Sequence, residues 1–348
     1  EDALFNYAKL TYELSYSPFN ETIKAFDKYI TLYPSSERNT AAYQYLVEVF
    51  MVTKNYQEAI NAIEKIKGRN ADVNRAYQRV TYYRGLELFN SQSYEKAIDL
   101  FDKSLQNNYS NAVTAGARFW RSEALYRTGD YNSAITGFNQ FLQSPGATTL
   151  TEYSDAYYSL GYSYFKLEDY PRAGQMFKKY LSANEGKLTN KMADANNRIG
   201  DTYFIARQYP DAVASYQKAF SMKIYDADYS MYQMAFCSGL QQNQPSKITQ
   251  LNSLITSYPQ SAYRDDALFE LGRTYERGGK YDEAKKQYQM ILDQFKESNY
   301  YPKALLQMGL VCYNTSDYQN SLKYYKQVAE NYGGTQEAQS ALMGIKNC

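Results

Sequence analysis

Histidine is absent from the 348 residues. Its absence removes Ser-His-Asp and Cys-His nucleophile systems, the HExxH zinc site and any imidazole general base at once. Only 3 cysteines occur, an odd number that sets up no disulfide framework. Pro and Gly are few, 8 and 18, and mark short turns such as Tyr33-Pro34, Ser144-Pro145-Gly146 and Tyr258-Pro259 without forming a long run, so no linker divides the chain. Apolar runs stay short of a membrane span, and no signal-peptide pattern stands at Glu1. Charge of one sign is also missing. Lys and Arg number 38 against 37 Asp and Glu, mixed along the chain, which is no nucleic-acid footprint.

Near-motifs of chemistry dissolve on inspection. Gly278-Gly279-Lys280 imitates the end of a phosphate loop, but Thr274 stands where the first Gly belongs and Tyr281 where Ser or Thr should follow. Ser93-Tyr94-Glu95-Lys96 and Ser215-Tyr216-Gln217-Lys218 have the Ser-x-x-Lys spelling without its companion motifs. Asp265-Asp266 fits the acidic first turn of a helix better than a metal pair. The chain is therefore expected to be no enzyme and to hold no cofactor and no metal.

What the sequence has is a repeat. Residues 267–292 and 304–328 align on Tyr281 and Tyr318. Each copy has a Gly nine residues earlier (Gly272, Gly309), a small residue three later (Ala284, Ser321) and an aromatic seven later (Tyr288, Tyr325). A mid-helix Gly costs about 1 kcal/mol relative to Ala, so it implies a close helix neighbour. The unit reads as a helical hairpin. Its anchor Tyr, just after the turn, is expected to wedge between the two helices.

The same anchor recurs as Phe19, Tyr56, Tyr94, Tyr131, Tyr170 and Tyr209, lapses at Gln244, and returns at Tyr281 and Tyr318. The small residue three later is Thr22, Ala59, Ala97, Ala134, Ala173, Ala212, Lys247, Ala284 and Ser321. This signature resembles the tetratricopeptide repeat, and nine registers exceed the three or so that a stacked array needs. The resemblance implies an all-α, right-handed superhelical solenoid of about nine hairpins plus a C-terminal helix over 337–346, one array across 1–348. Because Glu1 opens inside a helical pattern and Cys348 closes a lone first helix, a segment of a longer protein is expected. The string ARFWRSEALYRTGDYNSA and the Tyr332-Gly333-Gly334-Thr335 run resemble modules of Gram-negative envelope proteins, such as the periplasmic partner of the Tol–Pal system and outer-membrane assembly lipoproteins. That resemblance implies the bacterial envelope or periplasm.

Two repeats are atypical. The first, 2–33, has Ser17-Pro18 in its turn, as suits an array end. The seventh, 228–258, has lost both anchor ring and small residue at Gln244 and Lys247, so its helices are expected to pack less closely and to form a weak joint. Cys237 and Cys312 fall two repeats apart at inward positions, too far for a bridge, and read as small buried hydrophobes.

The 40 Tyr are the last feature. In the family that the chain resembles, first-helix residues twelve, eight and five before the anchor face the concave groove. Here these positions, extended to Arg277, place Tyr82, Phe89, Phe119, Tyr126, Tyr158, Tyr162, Phe165, Phe204, Tyr232, Phe236, Phe269, Arg273, Arg277 and Tyr313 on one lining. Such a Tyr-, Phe- and Arg-rich surface suits a protein-interaction scaffold holding an extended peptide or protein element. A glycan or cell-wall fragment stacking on the same rings is the alternative. Neither nucleic acid nor a transmembrane segment is expected.

Overall fold

A computed structural model describes residues 1–14, 20–66 and 68–348. Among these there is no strand, and nineteen α-helices and one short 3₁₀ turn account for the regular structure. The chain divides into two compact units, Glu1–Ala183 and Asn184–Cys348.

The first unit holds five helical hairpins: α1 (Asp2–Glu13) with α2 (Asn20–Leu32), α3 (Asn39–Val52) with α4 (Tyr56–Glu64), and α5 (Ala71–Asn90) with α6 (Tyr94–Leu105). Then come α7 (Asn111–Arg127) with α8 (Tyr131–Leu142), and α9 (Glu152–Lys166) with α10 (Tyr170–Ala183). The second unit holds four hairpins and a closing helix: α11 (Asn190–Ile205) with α12 (Tyr209–Met222), and α13 (Ala227–Leu240) with α14 (Gln244–Ser257). It continues with α15 (Arg264–Arg277) and α16 (Tyr281–Gln294), α17 (Tyr301–Asn314) and α18 (Tyr318–Asn331), and α19 (Gln336–Asn347). The fold is the expected all-α solenoid of hairpins. Phe19 and the Ser17-Pro18 turn lie outside the described residues.

The turns repeat one backbone device. Two residues before every described anchor position the chain enters the left-handed region, at Lys54, Gln92, Gly129, Glu168, Arg207, Gln242, Gly279 and Ser316, with φ between 58° and 88°. The next amide then donates back to a carbonyl five residues earlier, as Asn55 to Phe50 and Asp317 to Cys312, at 2.8–2.9 Å. This closes each first helix with a Schellman motif and starts the second helix at once. Only two of the eight positions use Gly, although a left-handed conformation costs an L-residue roughly 1–2 kcal/mol. Glu168→Gly and Arg207→Gly should each stabilise the fold by about 0.5 kcal/mol, the strain relieved less the entropy Gly adds to the unfolded chain. Urea midpoints that fall for both variants would contradict this.

Inside the hairpins the small residues behave as expected: Ala59, Ala97, Ala134, Ala173, Ala212, Ala284 and Ser321 are fully buried. The wedge, however, is a different ring. The mid-helix glycines face the aromatic seven residues after the anchor. A Cβ on Gly85, Gly161, Gly200, Gly272 or Gly309 would lie 2.5–2.7 Å from the ring of Phe101, Phe177, Tyr216, Tyr288 or Tyr325 respectively. Those rings are buried, whereas the anchors Tyr281 and Tyr318 sit at the rim, Tyr318 48% exposed.

In the fourth hairpin Ser122 stands at the Gly position with Phe138 retained, and packs against Gly137 instead. In two other hairpins both partners change together: Val47 and Ala235 take the Gly position and Ile63 and Leu251 the ring position, all four buried. So the seventh hairpin keeps a closed interior away from its turn. Its Lys247, at the small-residue position, is 8% exposed and sets its Nζ 2.9 Å from Glu270 Oε2.

Polar side chains fasten neighbouring hairpins. In the first unit buried Gln78 donates to Thr114 Oγ1 at 2.8 Å and accepts from the amides of Tyr109 and Ser110. In the second, Ser261 donates to Asp228, Ser298 to Asp265 and Tyr300 to Asp266 at 2.5–2.7 Å. Asp265 and Asp266 thus hold the next repeat as well as lying in a first helical turn.

Asp201 is the most enclosed of these carboxylates. It accepts from Tyr216 at 2.7 Å and Tyr229 at 2.6 Å, and its second oxygen lies 2.6 Å from Arg198 Nη1. Burial raises its pKa, opposed by Arg198 and the two hydroxyls, while Asp194 pushes it up further. A carboxyl raised in the folded state contributes stability that is full below its unfolded value and is lost as pH rises through the folded one. The stability of the native chain relative to Asp201→Asn should therefore decline from about pH 4 upward. A difference that grows with pH in urea titrations would reverse the sign.

Cys237 and Cys312 are free and buried, and burial pushes the Cys237 thiol up to about 12. They are packing residues, as expected.

Candidate partner-binding surface

The helices α5, α7 and α9 bring the first unit's lining together. Five residues before the anchor, Phe89, Tyr126 and Phe165 each lie against their own anchor, Tyr94, Tyr131 and Tyr170, with ring centroids 5.2–5.5 Å apart. Twelve before the anchor, Tyr82, Phe119 and Tyr158 reach the interior rings Phe101, Phe138 and Phe177 at 5.7–6.2 Å. The first set closes the turn end of the hairpin and the second leans on its core. Edge-on and tilted contacts of this kind add about 0.5–1.5 kcal/mol each beyond burial.

Depth separates these residues. Phe119 is only 3% exposed, so its ring is interior. Tyr82, Phe89, Tyr126, Tyr158, Tyr162 and Phe165 are half-buried. Tyr158 and Tyr162 sit 5.1 Å apart, and Phe177 supports both edge-on. Trp120, the single Trp, lies between Phe89 and Phe119 at 5.1 and 5.2 Å. Burial raises the hydroxyl pKa of Tyr82 and Tyr126, so both remain neutral donors.

In the second unit the lining runs across α11, α13 and α15. Phe204 lies 5.9 Å from Tyr209 and 6.0 Å from Phe236, Phe236 lies 6.4 Å from Tyr232, and Tyr232 stacks on Tyr263 at 5.5 Å. Phe269 is 7% exposed, enclosed by Tyr288 and Tyr300. Arg273 lies 6.0 Å over Phe269 and 3.2 Å from Glu270, while Arg277 is exposed. Tyr313 pairs with Tyr318 at 5.4 Å.

The same unit contains an opening that the repeat pattern did not point to. It is a cavity of about 860 Å³ at the turn end of α13 and α14, bounded on its far side by α15. Phe236, Leu240, Ile248 and Tyr275 supply its apolar walls. Lys247, Arg273, Arg277 and Lys280 bring four cations to it, against the single carboxylate Glu270. Of these, only Phe236, Arg273 and Arg277 belong to the lining read from the repeats. The available signal was a double lapse, since Gly239 and Gln244 stand where other hairpins place a ring pair. Among the described residues no group of His, Cys, Asp and Glu could hold a metal ion, and no helix is long and apolar enough to cross a membrane.

Known proteins place this geometry. Two family models, both described as tetratricopeptide repeat, match residues 82–148 and 158–228, and 229–261 and 266–298, together more than half of the chain. No curated protein matches. Among solved structures, the C-terminal part of a TPR repeat-containing protein from Cytophaga hutchinsonii is similar at 14% identity, covering 75% of this chain and 99% of that one with a TM-score of 0.62. A tetratricopeptide repeat protein from Parabacteroides merdae is 13% identical, covering 78% of this chain and 99% of that one with a TM-score of 0.50. PilW, a type IV pilus biogenesis factor, matches over 66% of this chain and 98% of its own at 18% identity and a TM-score of 0.48. With the repeat models aligned on the hairpins whose glycine, small residue and ring interlock, the chain belongs to the tetratricopeptide-repeat family.

Proposed function

We propose that this protein is a non-catalytic interaction scaffold that holds an extended peptide or protein element on the ring-lined side of its first helices. The observation that carries the reading is α9. Tyr158, Tyr162 and Phe165 are half-buried there, braced edge-on by Phe177 and Tyr170. Braced rings lose little rotamer freedom when a partner covers them, so more of the contact energy remains as affinity. On the resemblance of ARFWRSEALYRTGDYNSA to envelope modules, we place the chain in the bacterial envelope, where its partner is to be sought.

The test takes a protein recovered from envelope extracts and measures its affinity for purified variants. Tyr158→Ala, Tyr162→Ala or Phe165→Ala should weaken binding by about 2 kcal/mol, roughly thirtyfold, with helix content unchanged. An affinity that ignores all three, yet falls when Lys285 and Lys286 of α16 are reversed to Glu, would move the function off these rings. Recovery of soluble wall fragments in place of protein would make the occupant a glycan.

A further inference from the structure

Five hairpins close their turn end with a pair of rings. These are Phe89 with Tyr94, Tyr126 with Tyr131, Phe165 with Tyr170, Phe204 with Tyr209 and Tyr313 with Tyr318. In the seventh hairpin the two positions are Gly239 and Gln244, and both line the 860 Å³ cavity. The opening stands at a turn end that lacks the ring pair, with the Lys247 alkyl chain packed against Gly239, its Cδ 2.9 Å from where a Cβ would lie. Its volume falls in the range of about 300–1,000 Å³ typical of ligand sites. Phe236 and Leu240, 37% and 45% exposed, leave apolar surface uncovered at its edge.

The charge around the opening is one-sided in a chain whose total is balanced at +1. Glu270 is already engaged by Lys247 at 2.9 Å and Arg273 at 3.2 Å. Arg277 and Lys280 stand at the mouth, both exposed. With Lys247 and Arg273 paired to Glu270, the two exposed cations Arg277 and Lys280 are left at the mouth of an apolar socket, which complements a large apolar side chain flanked by carboxylates.

We propose that this opening receives a Tyr, Phe, Trp or Leu side chain of an acidic peptide segment. The partner thereby supplies a ring at the turn end where Gln244 replaces the anchor Tyr. The proposal rests on the scaffold reading and adds to it a second contact point, with its own chemistry, away from α9.

The probe is a library of random nine-residue peptides displayed on phage and selected against the full chain. Enriched sequences should carry one aromatic or Leu residue with at least two Asp or Glu beside it. A synthetic copy of the leading peptide, acetylated and amidated, is then titrated against variants. Gln244→Tyr restores the anchor ring and should weaken binding at least tenfold. The chain already accepts Tyr before Pro in this register, at Tyr170-Pro171 and Tyr209-Pro210. Arg277→Glu with Lys280→Glu, both on exposed positions, should weaken it at least tenfold by a route that needs no repacking. No enrichment, enrichment without acidic residues, or an affinity unchanged by the charge variant would overturn the proposal. Peptides that ignore Gln244→Tyr but fail on Tyr158→Ala would overturn it while leaving the scaffold reading standing. Peptides that obey Gln244→Tyr, beside an extract partner that ignores the α9 truncations, would uphold the opening and remove α9.

Discussion

Tyr288→Ala is expected to cost the fold about 3–5 kcal/mol, the usual range for truncating a buried aromatic. Tyr288 is fully buried, touches the open face of Gly272, and donates its hydroxyl to Glu276 Oε2 at 2.8 Å. Losing the ring leaves a cavity against a residue with no side chain to collapse into it. It also leaves Glu276, whose pKa burial already raises, without its donor. Tyr281→Ala removes a ring of the same size from the rim of the same hairpin and should cost about 1 kcal/mol or less. Amide exchange across 264–294 and urea midpoints separate the two. Equal losses would mean that the anchor, not the ring seven residues on, wedges the hairpin.

Gly272→Leu should be nearly as damaging, at about 3 kcal/mol, the upper end of ordinary overpacking. Its Cβ alone would sit 2.5 Å from Tyr288, and that ring is enclosed and cannot swing aside. The informative version is gentler. Gly272→Ala and Tyr288→Leu are each destabilising singly, but together they recreate the Ala235 and Leu251 pair of the seventh hairpin. The double variant should be more stable than the sum of the singles by about 1 kcal/mol, a coupling of the size that touching residues show. Simple additivity in the cycle would show that the reciprocity is incidental.

Much of this was legible because hairpin rules are local. The period, the small residue and the mid-helix glycine depend on neighbours within one repeat, so spacing alone carries them. What spacing could not give is depth along a helix face. Tyr281 and Tyr288 are seven residues apart, about two helical turns, and share a face; only the level of Gly272 decides which ring is interior. For the same reason Phe119 and Phe269, set on the face with Phe89 and Phe165, turn out to be interior. Lys247 departs from the repeat register for a reason that one hairpin's spacing does not carry, because its counterion, Glu270, belongs to another hairpin. Its alkyl chain occupies the interior against Gly239, and the cavity opens at the turn end of the same hairpin.

The reciprocity between first and second helices also limits how such a gene can grow or shrink. A crossover that falls between hairpins exchanges complete lock-and-key pairs, and every Gly keeps its ring. A crossover inside a turn would join α13 to α16, setting Ala235 against Tyr288, or α15 to α14, setting Gly272 against Leu251. The first product is overfilled and the second hollow. Exchange by whole hairpins therefore preserves the interior pairs, while exchange within a turn separates them.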